Sequence, residues 1–566
     1  MNNQEKEEKI GFYIFVFSIA LFLLFTLPCN FSVYCGNANE GLHFIGAQFL
    51  LNGKKLYIDV VQSRGPLLFL LYAAVLKIFN FTTYSIIAIH LIQRIIMLLI
   101  CFSIYLLTKM LTNNTLYSGL AAMIWVLLQI TVIGGWGTFY ELESINALEA
   151  EILCEMFSLF SIYFLINAIK GRNPFLNSSL SGAFTVFSFM SKTNGGVLII
   201  AFFAWCLFLF FFKKKYFLEF KKQINIFMIS FFVVSLFFIL AIHIHTGGID
   251  KCLEGIFFSG NYNSNYLKSY NSFFSSFLRL ITRDTDSISN LFLFLFSLIC
   301  FLWLLIKNLI IKEKSLTDLF FPLVGLCGIG NIFAVMMSGA YASYYYQLIW
   351  GFMAIGFVLI LRDILNFCVR PEYLKIAWVV SATVLILFFG IRFYLIFPGV
   401  VKYLGCQVSL NAFLQPQSFQ DPVKPNHNNI WRSPQTLVYA DIINNYLPNK
   451  NDTFYVLNYL HGHQVFGYPI YIYAKRLASS PIAPDQLICY RSLGYLPKKF
   501  LKEFKEKPPK IIIIPEDIDI KAWKLNLLLP VIKEIVYFVK ENYKIKDTLR
   551  FSYQSQEYIY YIYEKK

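Results

Sequence analysis

NANEGLHFIGAQFLLNGKKLYIDVVQSRGP, residues Asn37 to Pro66, is the stretch on which the reading of this chain turns. It lies between a first apolar run at about residues 11–28 and a long series of further apolar runs. It is the first polar loop, and it carries Glu40, Lys54, Lys55, Asp59 and Arg64 between apolar segments. Charges beside hydrocarbon are costly unless they face water or take part in chemistry. The loop is therefore the candidate working part, and the rest of the chain reads as the scaffold around it.

Of the 566 residues, 57% are hydrophobic and 14% charged, with a mean hydropathy of +0.57. An ordinary soluble domain is about 25% charged. Apolar runs of ~18 residues or more recur as far as Phe397, each long enough to cross a hydrocarbon core of ~30 Å. The fold class is a polytopic α-helical membrane protein. The net charge of +16 does not point to a nucleic-acid partner, because the basic residues sit in short links between apolar runs. These are Lys109; Lys170 and Arg172; Lys213, Lys214, Lys215, Lys221 and Lys222; Lys307, Lys312 and Lys314; and Arg362, Arg370 and Lys375. They occupy alternate loops, which the positive-inside rule assigns to the cytoplasm.

That alternation predicts about 11 transmembrane helices, at about 11–28, 85–108, 114–134, 150–169, 175–191, 196–212, 223–243, 289–306, 317–338, 342–361 and 376–397. The N-terminus is then cytoplasmic and the C-terminus extracytoplasmic. The first run lacks a small-x-small cleavage site and reads as a retained span. Within the loop at 29–84, residues 41–52 and 66–80 are too short to cross and suit helices lying in the outer interface. The second begins at Pro66, a residue favoured at the first helical position. Past Phe397 the composition shifts to Pro, Asn and Lys, with no membrane-length run. DTFYVLN, KIIIIPED and EYIYYIYEKK read as short strands, and PVIKEIVYFVKENY (530–543) has helical apolar spacing. The division is a membrane domain at 1–400, with the loop at 29–84 as its working part, and a small extracytoplasmic α/β domain at 401–566.

The ordered series Asn39-Glu40-Gly41, Ala47-Gln48, Leu51-Asn52-Gly53, Tyr57, Asp59 and Arg64-Gly65-Pro66-Leu67 resembles the first outer loop of the GT-C superfamily of membrane glycosyltransferases. The nearest branches are the polyprenyl-phosphate-dependent ones, which include aminoarabinose transferases, protein O-mannosyltransferases and their bacterial relatives. Later features follow the same order: Ala150-Glu151 opening a span, Ser191-Lys192-Thr193 closing one, Ser259-Gly260-Asn261-Tyr262 and Tyr266 in a polar loop, and Tyr344-Tyr345-Tyr346-Gln347 before a late span. The resemblance implies a transferase in a bacterial cytoplasmic membrane. It would move a sugar, with inversion, from a polyprenyl-phosphate donor to a lipid, glycan or protein acceptor on the outer face.

The resemblance also assigns roles. Its relatives carry an Asp-Glu pair where this chain has Asn39-Glu40, so Glu40 becomes the carboxylate that accepts the acceptor's proton. Asn39 would orient the acceptor, and Glu151 is a second acidic site. Arg64 would fork onto the donor phosphate, with Lys192 a second cation for the same anion. Asp59, Tyr57, Tyr345 and Gln347 complete the substrate-binding set. No cofactor motif is present, and a divalent cation stays open because superfamily members differ in metal dependence.

Other features are weaker. Glu141 and Glu143 read as a solvated loop, and His243-x-His245 and His461-x-His463 lack the cysteines or carboxylates that would complete a metal site. The eleven cysteines show no CxxC spacing and read as buried thiols, with a Cys29–Cys35 pair as the alternative. His90 and Arg94 lie one helical turn apart inside a predicted span, their role open. Two further readings stay alive, a transporter or flippase of lipid-linked sugars and a catalytically silent glycan-binding relative.

Overall fold

The computed structural model describes residues 3–30, 38–57, 59–60, 64–82, 84–133, 148–246, 287–310, 315–338 and 347–367. Of the C-terminal part it describes 440, 442–449, 451–457, 471, 474, 476, 478–480, 496–515, 529–553 and 556–566. Six helices among them are long and apolar enough to cross a membrane: Tyr84–Thr112, Ala150–Ile169, Thr193–Phe212, Lys214–His245, Leu316–Val335 and Gln347–Asn366. This is the make-up of a multi-pass membrane protein. The predicted spans at 11–28, 114–134, 175–191 and 289–306 also coincide with helices, whereas 376–397 lies outside the described residues.

The chain forms two compact units. One comprises Met1–Asn30, Leu91–Ala241 and Ser269–Val408, and the other Phe31–His90, Ile242–Lys268 and Ser409–Lys566.

The first unit is helical. Its helices are α1 (Asn3–Asn30), α5 (Thr115–Ile133), α6 (Ala150–Ile169), α7 (Pro174–Ser191), α8 (Gly196–Phe212), α10 (Ser287–Ile310), α11 (Phe321–Ser338) and α12 (Gln347–Phe367). It also holds most of α4 (Tyr84–Thr112) and of α9 (Lys214–Thr246). Helices α1 and α5 cross backbone to backbone: a Cβ on Gly119 would sit 2.3 Å from the Gly11 carbonyl oxygen, and one on Gly11 would sit 2.2 Å from that of Thr115. Small residues are what allow such an approach in lipid. Gly119→Val is expected to force the two helices apart and to lower the midpoint of thermal unfolding in detergent, while the exposed Ile229→Val leaves it unchanged.

Helices α6 and α7 are joined by hydroxyls. Ser158 Oγ lies 2.8 Å from Ser188 Oγ, Ser161 Oγ lies 2.8 Å from Thr185 Oγ1, and Ser161 and Ser181 exchange bonds with each other's carbonyls at 2.9 and 2.8 Å. At one end of the unit several helix termini meet. The Lys170 ammonium donates to the Met110 carbonyl at 3.1 Å and the Arg362 guanidinium to that of Leu111 at 3.2 Å, satisfying the last turn of α4. Lys307 and Arg362 lie 2.8 and 3.3 Å from the Asp363 carboxylate, and Arg362 lies 3.7 Å from Asp318. The ends of α4, α6, α10 and α12 thus share one side, as the alternate placement of basic links requires.

One boundary differs from expectation. Lys214, Lys215, Lys221 and Lys222 were expected in a link, but they belong to the 33-residue helix α9. Lysine is a good helix former and sheds its charge into water at a helix start, so the only break from α8 is Lys213, at φ −137° and ψ 47°.

The second unit holds α2 (Ala38–Leu51), α3 (Pro66–Ile78) and a four-stranded sheet. Pro66 opens α3 as expected, after Gly65 at φ −65° and ψ 158°. Helix α2 is enclosed by protein, with Glu40, His43, Phe44, Ala47, Gln48 and Phe49 all buried. Its aromatic content makes burial favourable, and Phe44 meets Tyr72 of α3 edge-on at 4.8 Å.

The sheet has the order β1-β2-β4-β3, with β1 (Phe454–Val456), β2 (Ile511–Pro515), β3 (Tyr543–Tyr553) and β4 (Gln556–Lys565). β1 and β2 are parallel, and α13 (Leu496–Glu506) lies between them in the chain; β4 runs antiparallel to both β2 and β3. Ile511, Ile512 and Ile513 are fully buried, which accounts for the unbroken apolar run. Helix α14 (Leu529–Asn542) leads straight into β3.

Candidate functional site

The first turn of α2 contains Asn39 and Glu40, and Glu40 has no exposure. A buried carboxylate has to be paired or hydrogen-bonded. The partner comes from the start of α4: His90, equally buried, places Nε2 3.1 Å from Oε1 and 3.3 Å from Oε2 of Glu40. His90 was legible as a titratable group inside a span, and its pairing with the loop carboxylate was not. Arg94, a turn further along α4, instead lies over the Phe22 ring at 5.9 Å and within 3.5 Å of Met97 Sδ.

A second histidine, His43, sits one turn beyond Glu40 on α2 and was not singled out in the sequence. It is buried against the edges of Phe69 and Tyr72, at 5.8 and 5.4 Å. Burial first, and then the Arg64 charge, hold its imidazole well below the ordinary value, so it stays neutral.

The rest of the loop is tightly tied. Tyr57 is buried at φ +67°, and its hydroxyl donates to the Arg64 carbonyl at 2.8 Å. A left-handed tyrosine is a strained backbone, kept here by the Tyr57 N–H to Val60 carbonyl bond at 2.8 Å. The Lys55 N–H donates to Asp59 Oδ2 at 2.9 Å, and the Leu56 N–H reaches Nε2 of His245 at 3.4 Å. Tyr57 thus fixes the backbone from which Arg64 projects, immediately before Gly65 and Pro66.

Asp59 also lies 3.2 Å from the Lys499 ammonium on α13, and Lys499 lies 4.0 Å from Glu503. Burial pushes the Asp59 carboxyl up, but the Lys55 N–H and Lys499 outweigh it and hold it below its ordinary value. A carboxylate with a depressed folded-state pKa stabilises above the unfolded value, about 3.9, and loses that stabilisation as pH falls through the folded one. The native chain should therefore lose stability below about pH 4 more steeply than Asp59→Asn, a difference read from thermal unfolding across pH 3–6.

In the first unit, Glu151 stands in the first turn of α6 with its side chain fully buried, and Lys192 at the end of α7 is 8% exposed. Their charged groups form a direct ion pair. The structure thus brings together two residues that the sequence had placed in separate roles. One turn along α6, Glu155 accepts the Gly351 N–H of α12 at 2.8 Å. Sequence reading missed Glu155; its signal was a carboxylate deeper than Glu151 inside an otherwise apolar span. Gln347 opens α12 and is buried. Tyr345, Glu141, Glu143, Tyr262, Tyr266, His461 and His463 lie outside the described residues. Among the described residues no group of three His, Cys, Asp or Glu could hold a metal ion.

With this geometry in place, comparison with solved structures is informative. The Archaeoglobus fulgidus oligosaccharyltransferase, solved with zinc and sulfate, superposes with a TM-score of 0.53 at 13% identity, over 98% of this chain and 73% of that one. ArnT from Cupriavidus metallidurans, bound to undecaprenyl phosphate, gives 0.52 at 9% identity, over 96% of this chain and 97% of that one. The Archaeoglobus enzyme AglB, bound to an inhibitory peptide and dolichol phosphate, gives 0.52 at 12% identity, over 97% and 74%. Both proteins are GT-C glycosyltransferases. The chain has the GT-C fold. No family model and no curated protein matches the sequence. The match extends over nearly the whole chain.

Proposed function

We propose that the chain is a membrane glycosyltransferase that takes a sugar from a polyprenyl-phosphate donor and passes it, with inversion, to a lipid, glycan or protein acceptor. The observation that carries this reading is a buried, histidine-paired carboxylate, Glu40, in the first loop of a GT-C fold. That loop is where the resemblance puts the group that draws off the acceptor's proton. In support, ArnT binds undecaprenyl phosphate and AglB binds dolichol phosphate. Arg64, on a backbone pinned by Tyr57, is the cation assigned to the donor phosphate, and Asn39 orients the acceptor. Tyr57 and Asp59 belong to the substrate-binding set and also shape the loop. Glu151 is the second catalytic acid, ion-paired with Lys192, and Lys192, Gln347 and Tyr345 complete the substrate-binding set. The protein lies in a bacterial cytoplasmic membrane with its N-terminus inside, its sheet outside and about 11 spans.

The test is transfer of labelled sugar from a panel of polyprenyl-phosphate sugars in proteoliposomes holding the native chain. Arg64→Ala should raise KM for the donor about 10–100-fold, the worth of one charge-assisted bond of about 1.5–3 kcal/mol. No turnover with any donor, together with substrate-dependent flux across the bilayer, would instead mark a transporter.

A further inference from the structure

The imidazole of His90 is used on one side only. Its Nε2 faces both oxygens of Glu40, at 3.1 and 3.3 Å, so an ionised Glu40 holds the ring proton on Nε2. The other nitrogen, Nδ1, is then a lone-pair acceptor. It is fully buried and has no hydrogen-bond partner among the described residues. A ring anchored to a carboxylate through one nitrogen, with the other nitrogen open, is the arrangement of an oriented base. Buried polar atoms are for the most part hydrogen-bonded, so one left over invites a functional account.

We propose that Nδ1 of His90 is the atom that receives the acceptor's proton, and that Glu40 orients the ring and stabilises the imidazolium that forms. The inference rests on the glycosyltransferase reading and refines the role of Glu40 within it. The acceptor's hydroxyl or amine forms a bond to the anomeric carbon of the donor sugar. The bond from that carbon to the phosphate oxygen breaks, and the polyprenyl phosphate leaves with the electron pair. The acceptor's proton moves to Nδ1 and is later lost to water, returning the dyad to its starting state.

The discriminating variant is His90→Gln. A glutamine amide can still donate to Glu40, as Nε2 does, but it offers no basic nitrogen. If His90 is the base, His90→Gln lowers kcat by about 10²–10⁴-fold with little change in donor KM, as general-base loss does. The double variant Glu40→Gln/His90→Gln then falls no further than the more impaired single variant, because the two act as one unit. His90→Ala, which opens space in the same place, regains turnover with added imidazole. A His90→Gln enzyme within a few-fold of native overturns the proposal and leaves Glu40 as the direct base. Failure of imidazole to rescue a folded His90→Ala also overturns it. A native chain inactive on every donor fails at the functional reading itself, and the dyad falls with it.

Discussion

Glu40→Gln is expected to lower sugar transfer by about 10²–10⁴-fold while leaving donor binding in place. The substitution keeps the size of the side chain, so α2 retains its packing against α3. It removes the only carboxylate that the described residues of α2 contain, and with it the negative charge facing His90. Whether that charge accepts the acceptor's proton directly or holds the imidazole that does, turnover depends on it. Asn39→Asp serves as the companion variant, since it restores the Asp-Glu pair that the resemblance implies. Near-native rates in Asn39→Asp beside a silent Glu40→Gln would place the chemistry at residue 40. Transfer by Asn39→Asp alone, with none by the native chain, would make the native chain a binding relative that has lost its base.

Lys192→Met is expected to be the most destabilising single change in the first unit, at about 3–5 kcal/mol. It leaves the fully buried Glu151 carboxylate without its ammonium partner. The Glu151 side chain has no exposure, so the lost Coulomb attraction is poorly replaced by solvation. Lys192→Met/Glu151→Gln, which removes both charges, should recover most of the loss, because an apolar or amide pair of similar volume is commonly neutral there. The measurement is thermal unfolding in detergent for the two single variants and the double. Equal midpoints for Lys192→Met and the native chain would show that the pair is not buried in solution. Activity separates a further role: if the double variant folds and its donor KM rises, Lys192 also meets the phosphate.

Much of this architecture could be read from the chain. Apolar run length and alternate basic links placed the helices, and KIIIIPED announced a buried strand because Ile511–Ile513 face protein on both sides. Strand β3 escaped notice for the opposite reason. YKIKDTLRFSY carries Lys544, Lys546, Asp547 and Arg550 on an edge strand, where charge deters pairing with other chains and masks the alternation. In the candidate site, Glu40 and Arg64 could be picked out as candidates from their order in the loop. The Glu40–His90 and Glu151–Lys192 pairs could not, because each joins residues about 40–50 positions apart, and spacing carries no information about such meetings. Glu155 was hidden by its surroundings, since a single acid in an apolar run looks the same whether it serves chemistry or caps a neighbouring helix.

The hydroxyl ladder between α6 and α7 bears on how the protein is made. Four residues, Lys170–Asn173, separate the two helices, with Gly171 at φ +78° and Asn173 at φ +41° turning the chain back on itself. Ser158, Ser161, Ser181, Thr185 and Ser188 find their partners within this pair, so its polar side chains there are satisfied before any later helix is synthesised. In hydrocarbon an unsatisfied hydroxyl waits at a cost, whereas one already bonded does not. Helices α6 and α7 are therefore suited to leave the insertion machinery together as a finished hairpin, a template against which the later helices assemble.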